Sequence, residues 1–190
     1  MKIIFVCKRY YTGKDVIRHR FGRLYELPSQ LARLGHQVTV LCLDYRNNDP
    51  QKSFVEPFGT GYVHWLVMPL RNLFSFKVFS TYKTLNSVEA NLVIGSSDIP
   101  CLWLAKKLAD RFKTPYVVDL YDNYESFGQA KVLGFRKALK NSVNKASTAI
   151  TVSDILKGKV LSDYASQGQV IVMSNGVARS SFFVASKVEA

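Results

Sequence analysis

Cysteine is scarce in this chain, and the few present are badly spaced for chemistry. Cys7, Cys42 and Cys101 form no CxxC or CxH pattern, so neither a metal site nor a redox pair is expected. Cys7 and Cys42 sit inside apolar runs, which suits small buried side chains. Histidine is equally sparse: His19, His36 and His64 fall in different segments and spell no Ser/His/Asp constellation. No apolar run approaches the roughly 18 residues needed to span a bilayer. The short run after Lys2 is too brief for a secretory signal, so the expected location is the cytoplasm. Neither a GxGxxG fingerprint nor a Walker lysine motif is present. Acidic residues are outnumbered, 14 against 26 basic ones, leaving a formal net charge of +12. Such a surplus attracts nucleic acid, anionic lipid or phosphorylated small molecules, and composition does not choose among them.

What is present is an alternation. A length of 190 residues with 47% hydrophobic content suits one domain with a continuous core. Residues 2–7 read as a strand with the continuous apolar run Ile3-Ile4-Phe5-Val6, as in a parallel sheet covered on both faces. Leu24, Leu27, Leu31 and Leu34 then recur at helical spacing up to Gly35, with Pro28 expected to kink or divide that helix. Strands follow at 37–43, 63–67, 91–95, 114–120, 148–152 and 169–173. Between them lie an amphipathic helix at 99–112, a basic helix at 128–145, and a helix from a Ser153-Asp154 cap to Tyr164. The expected fold class is α/β: a single Rossmann-like domain with a mostly parallel sheet of about seven strands and helices on both faces.

In such sheets ligands sit beyond the carboxyl ends of the strands. The first loop there, residues 8–22, is rich in Lys and Arg, and Gly22 lies near the helix start. A glycine in that position lets a phosphate approach backbone N–H groups, although a solvated basic loop explains the same residues. After the strand at 91–95 comes Ser96-Ser97-Asp98, where Asp98 binds a ligand or simply caps a helix. The richest loop follows the strand at 114–120 and holds Asp119, Tyr121, Asp122, Asn123, Tyr124 and Glu125. These groups can bind sugar hydroxyls, orient an acceptor or act as a base. Two cationic amphipathic stretches suit a membrane interface or a core-facing helix with solvated lysines. One is residues 70–83; the other is the helix carrying Lys131, Arg136, Lys137, Lys140 and Lys145 opposite Val132, Leu139 and Val143.

Taken in order, three segments resemble a known family. Leu31-x-x-Leu34-Gly35-His36-x-Val38-Thr39-Val40 is similar to the La-x-x-GH-x-V-x-V segment of GT-B glycosyltransferases, particularly retaining family four. TAITVS at 148–153 resembles that family's ad-x-v-x-x-vS segment, and VIVMSNGVARSSF at 170–182 its v-x-v-i-x-NGVD-x-x-x-F segment. The resemblance implies an N-terminal acceptor-side domain at residues 1–180, the start of an interdomain linker at 181–190, and an absent donor-binding domain with its E-x7-E signature. It implies a hexosyltransferase-type enzyme moving a sugar from a nucleotide-sugar to a lipid-linked or polysaccharide acceptor, the isolated chain being inactive. Gly22 and Arg20 would meet the donor phosphates. His19, Asp98, Tyr121, Asn123 and Tyr124 would line the acceptor side. The family's His-Asp pair is replaced by Tyr121-Asp122, so no histidine role carries over and Asp122 becomes the candidate catalytic residue. Ala178 stands where NGVD has its aspartate.

No metal or cofactor is expected. The expected partners are the nucleotide-sugar, through the absent domain, an acceptor glycan or glycolipid, and an anionic membrane surface at the cytoplasmic face. Nucleic acid is not expected, since no helix-turn-helix, RNP or zinc-finger pattern accompanies the charge. The alternative is a non-enzymatic basic Rossmann-like module binding nucleic acid or a nucleotide.

Overall fold

The computed structural model describes residues 1–46, 53–71, 89–126 and 128–176. The first strand, β1 (Lys2–Lys8), is buried along its centre on both faces, as its unbroken apolar run requires. A two-residue-per-strand hairpin, β2 (Tyr10–Tyr11) and β3 (Lys14–Asp15), turns through Thr12 and Gly13, both at positive φ. Helix α1 (Arg23–Arg33) follows, then β4 (Gln37–Asp44), β5 (Ser53–Phe58) and β6 (Gly61–Pro69). The second half runs β7 (Leu92–Ser96), α2 (Ile99–Phe112), β8 (Tyr116–Leu120), α3 (Phe135–Asn144), β9 (Thr148–Thr151), α4 (Asp154–Asp163) and β10 (Gln169–Val172).

Eight strands form one sheet in the order β10-β9-β8-β7-β1-β4-β6-β5, every pairing parallel except β5 with β6. The chain order reverses between β1 and β7, so a crevice opens beyond the carboxyl ends of these two strands. Alternation along β1 divides the core. Ile4 and Val6 pack with Leu102, Leu108, Leu139 and Val160 under α2, α3 and α4. Ile3, Phe5 and Cys7 pack with Trp65, Leu24 and Tyr25 under α1. Helices therefore cover both faces. No helix among the described residues is long and apolar enough to cross a membrane.

Three expectations change in detail. No strand is expected between 43 and 63, yet Ser53–Phe58 form β5 and β6 already begins at Gly61. Pro57 is tolerated because β5 is an edge strand, which leaves one side of its backbone without a ladder partner. Of the two outcomes expected at Pro28, a kink or a division, division does not occur: α1 runs through it to Arg33. The basic helix does not run from 128 to 145: a 3-10 turn at Gly128–Lys131 is followed by α3 only from Phe135. Gly134 has φ +87°, a left-handed backbone that a right-handed helix cannot pass through. The cationic stretch at 70–83 lies, beyond residue 71, outside the described residues.

The three cysteines are free and buried. Cys7 and Cys42 face each other in register on β1 and β4 with Sγ atoms 3.7 Å apart. Burial pushes the Cys7 thiol up, which keeps it protonated and inert.

Candidate functional site

The crevice at the switch point is closed from below. The Lys8 N–H donates to Ser97 Oγ at 2.8 Å, tying the end of β1 to the residue after β7. Much of the positive charge in the first loop is spent on folding it. Arg9 is 1% exposed and its Nε donates to Asp15 Oδ2 at 3.0 Å. The other Asp15 oxygen accepts from the N–H groups of Ile17 and Arg18. His19 accepts the Asp15 N–H on Nδ1. Arg20 turns toward the sheet edge and pairs with Glu56 Oε1 at 3.0 Å. Glu56 also accepts from Tyr25 Oη and Trp65 Nε1, and burial with this carboxylate beside it pushes the Tyr25 phenol up to about 12.

Gly22 precedes α1 with φ 72° and ψ −175°, a backbone that side-chain-bearing residues rarely adopt. A Cβ there would come within 3.1 Å of the Tyr11 ring. Its carbonyl accepts from Tyr25 and Glu26 N–H, and no side chain caps the helix. That leaves the N–H groups of Arg23 and Leu24, at the positive end of the helix dipole, without a partner among the described residues, and Gly22 and Arg23 border open space. That space is a cavity of about 480 Å³ lined by Tyr11, Phe21, Gly22, Arg23, Glu26, Leu27, Gln30 and the segment Met173, Ser174, Asn175 and Gly176.

Arg23 anchors this arrangement. It grips Asp119 at the end of β8 with Nε at 3.1 and 3.0 Å and Nη2 at 2.8 Å from the carboxylate oxygens. Ser96 Oγ donates to Asp119 Oδ2 at 2.8 Å. The remaining nitrogen, Nη1, donates to the Met173 carbonyl and to Asn175 Oδ1 at 3.1 and 3.2 Å. One guanidinium therefore joins α1, β8 and the chain leaving β10. Asp119 is fully buried and saturated with donors, so it serves structure rather than proton transfer.

The loop after β8 is arranged differently from the first. Tyr121 lies edge-on to Tyr11 at 5.3 Å and to Tyr124 at 5.8 Å, and burial pushes both the Tyr121 and Tyr124 phenols up. Asp122 is exposed, and its Oδ1 accepts the Asn123 N–H at 2.7 Å. With Asn123 and Tyr124 it borders a packing gap over Leu139, Leu156 and Tyr164 that is too small to admit a water molecule. Asp98 is 3% exposed, caps α2 through the Cys101 N–H, and accepts from Tyr45 Oη at 2.7 Å.

Of the residues to which the resemblance gives a role, Gly22 lines the large cavity, joined there by Arg23 at the end of the basic first loop and by Asn175 and Gly176 of the NGV segment. Asp122, Asn123 and Tyr124 lie together in the loop after β8, away from that cavity, Tyr121 packs between the two loops, and Asp98, His19 and Arg20 hold local structure. Sequence reading missed the pairing of Arg23 with Asp119, because 96 residues separate the two partners. It also missed Glu26 and Gln30, whose place on the cavity side of α1 shows only once the segment after β10 lies beside that helix. Among the described residues no group of three or more His, Cys, Asp or Glu is placed to hold a metal ion.

Residues 23–180 match the family model of Glycosyltransferase Family 4. No curated protein sequence matches the chain. In structure the chain is similar to sucrose-phosphate synthase from Thermosynechococcus elongatus, with 16% identity and a TM-score of 0.64 over 91% of this chain and 47% of that one. It is also similar to Anabaena Alr3699/HepE, solved in complex with UDP, with 18% identity and a TM-score of 0.56 over 93% and 44% of the two chains. The chain thus spans about half the length of these two structures.

Proposed function

The chain belongs to glycosyltransferase family 4, and from that premise we propose that it is the acceptor-side half of an enzyme that moves a sugar from a nucleotide-sugar to a lipid-linked or polysaccharide acceptor. In this reading residues 1–180 form the N-terminal domain, 181–190 lead toward a donor-side domain, and this chain supplies one wall of the active site. The UDP in the Anabaena structure makes a uridine nucleotide-sugar the first donor to assay.

The observation that carries the proposal is the uncapped start of α1 at Gly22, beside an open cavity and in a backbone that favours glycine. A donor diphosphate held by the facing domain approaches the first-turn N–H groups here. They stabilise the negative charge that grows on the departing diphosphate, where fixed dipoles act with most effect. Arg23 keeps the rim in place. Asp122, the exposed carboxylate of the β8 loop, holds a sugar hydroxyl, with Asn123 and Tyr124 fixing the loop that presents it. His19 and Arg20 flank the first loop at the surface. The site faces a membrane-presented acceptor at the cytoplasmic side.

The test is Gly22→Ala in the enzyme carrying both halves, assayed for sugar transfer. An added Cβ meets the Tyr11 ring and pushes the helix start away from the diphosphate. Loss of one such donor is worth about 10²-fold in kcat, so a fall of that order is expected, with the chain still folded by circular dichroism. Unchanged turnover would sink the assignment of Gly22.

A further inference from the structure

The turn before α3 presents a combination that nothing among the described residues uses. Val132 to Phe135 form a tight turn closed by the Phe135 N–H on the Val132 carbonyl at 3.1 Å, with Gly134 in the left-handed position. Leu133 at its corner is 100% exposed and Val132 51%. The turn is not loosely attached: Ala130 and Leu139 on either side are buried, and Phe135 packs against the core. Lys131, Arg136, Lys137 and Lys140 flank the turn in sequence and are all exposed. From residue 128 to 147 the sequence contains no acidic residue.

The electrostatics of α3 point the same way. Arg136 and Lys137 sit in its first turn, at the positive end of the helix dipole, with no acidic residue there and no side-chain cap. That placement disfavours the helix in water. A negatively charged surface in front of the turn would reverse its sign. The turn follows β8 and precedes a helix that returns to the start of β9, so it projects from the carboxyl-end rim, the same rim as the cavity at Gly22. Ile155, 88% exposed at the start of α4, stands on that rim as well.

We propose that the Val132-Leu133 turn, flanked by Lys131, Arg136, Lys137 and Lys140, docks this domain onto an anionic lipid bilayer with the two side chains inserted among the acyl chains. An apolar tip flanked by cations matches the bilayer interface, where buried hydrocarbon and headgroup attraction add. A nucleic-acid backbone would use the cations and leave the leucine idle. The proposal rests on the membrane-facing reading of the acceptor but not on sugar transfer itself.

The test is co-sedimentation of the 190-residue chain with vesicles of phosphatidylcholine, with and without phosphatidylglycerol. Binding should require the anionic lipid and fall as salt rises. The double variant V132S/L133S should bind about tenfold more weakly, because it removes the inserted hydrocarbon. R136Q/K137Q should lose about fivefold per cation. Leu133 is fully exposed, so Leu133→Trp reports insertion without threatening the fold, and its emission should shift to the blue on anionic vesicles only. Absence of vesicle binding, equal binding by V132S/L133S, or an unshifted Leu133→Trp emission would overturn the proposal. So would tight duplex RNA binding lost in R136Q/K137Q but kept in V132S/L133S. No nucleotide-sugar enters the assay, so these failures leave the transferase reading standing, and a transferase failure leaves this one standing.

Discussion

Arg23→Ala is expected to lower the stability of the domain by about 3–5 kcal/mol, the usual cost of removing one member of a buried ion pair. Asp119 is 0% exposed, and Arg23 supplies three of its short contacts. With the guanidinium gone, a carboxylate stays at the end of β8 with, among the described residues, only the Ser96 hydroxyl as a side-chain donor. It must then remain charged in a poorly solvating site or take up a proton. The chain leaving β10 loses its hold at Met173 and Asn175 in the same step, so the cavity beside Gly22 loses one side. Urea unfolding checks this. A double variant, Arg23→Met with Asp119→Leu, should lose less than Arg23→Ala, because both charges leave together. A loss under about 1 kcal/mol for Arg23→Ala, the range of an exposed pair, would contradict the role given to it.

Gly61→Ala is expected to cost about 3 kcal/mol or more, beyond ordinary overpacking. Gly61 opens β6 where the end of α1 crosses it. A Cβ there would lie 2.1 Å from the Ala32 carbonyl oxygen and 2.5 Å from that of His36. Both are backbone atoms held by their own structure: Ala32 accepts the Gly35 N–H, and His36 accepts that of Tyr62. Neither can swing aside as a side chain would, so α1 must lift off the sheet and strain the Gly22 end with it. Gly158→Ala is the control. Gly158 lies inside α4 with nothing within 4 Å of an added Cβ, and it should gain about 0.5–1 kcal/mol. Thermal unfolding of the two variants should therefore move in opposite directions, and a Gly61→Ala protein as stable as the parent would remove the close helix–sheet contact from the account.

These two positions show where sequence reading reaches and where it stops. The run Ile3-Ile4-Phe5-Val6 announces a strand buried on both faces, because a parallel sheet covered by helices admits no polar residue there. Asp98, Pro100 and the leucines of α2 likewise mark a helix start from local chemistry alone. β5 escapes because Pro57 and its half-exposed alternation look like loop until an edge position is known. The break at Gly134 escapes because Val132, Leu139 and Val143 keep helical spacing across it, and spacing says nothing about the sign of φ. Arg20 and His19 show the limit for sites. Both have the right chemistry for an anion in the right loop, yet the fold turns one to Glu56 and the other onto the Asp15 backbone. Arg23, three residues beyond Arg20, reaches the cavity instead, and only the meeting of α1 with β8 decides between them.

The central claim is that this domain is one wall of a two-walled active site. Calorimetric titration of UDP into the 190-residue chain, and then into the enzyme carrying both halves, tests it most directly. The account predicts no saturable binding to the chain at concentrations up to about 1 mM, a free energy near −4 kcal/mol, and clear micromolar binding once the donor-side half is present. Micromolar binding of UDP to the 190-residue chain itself would contradict it.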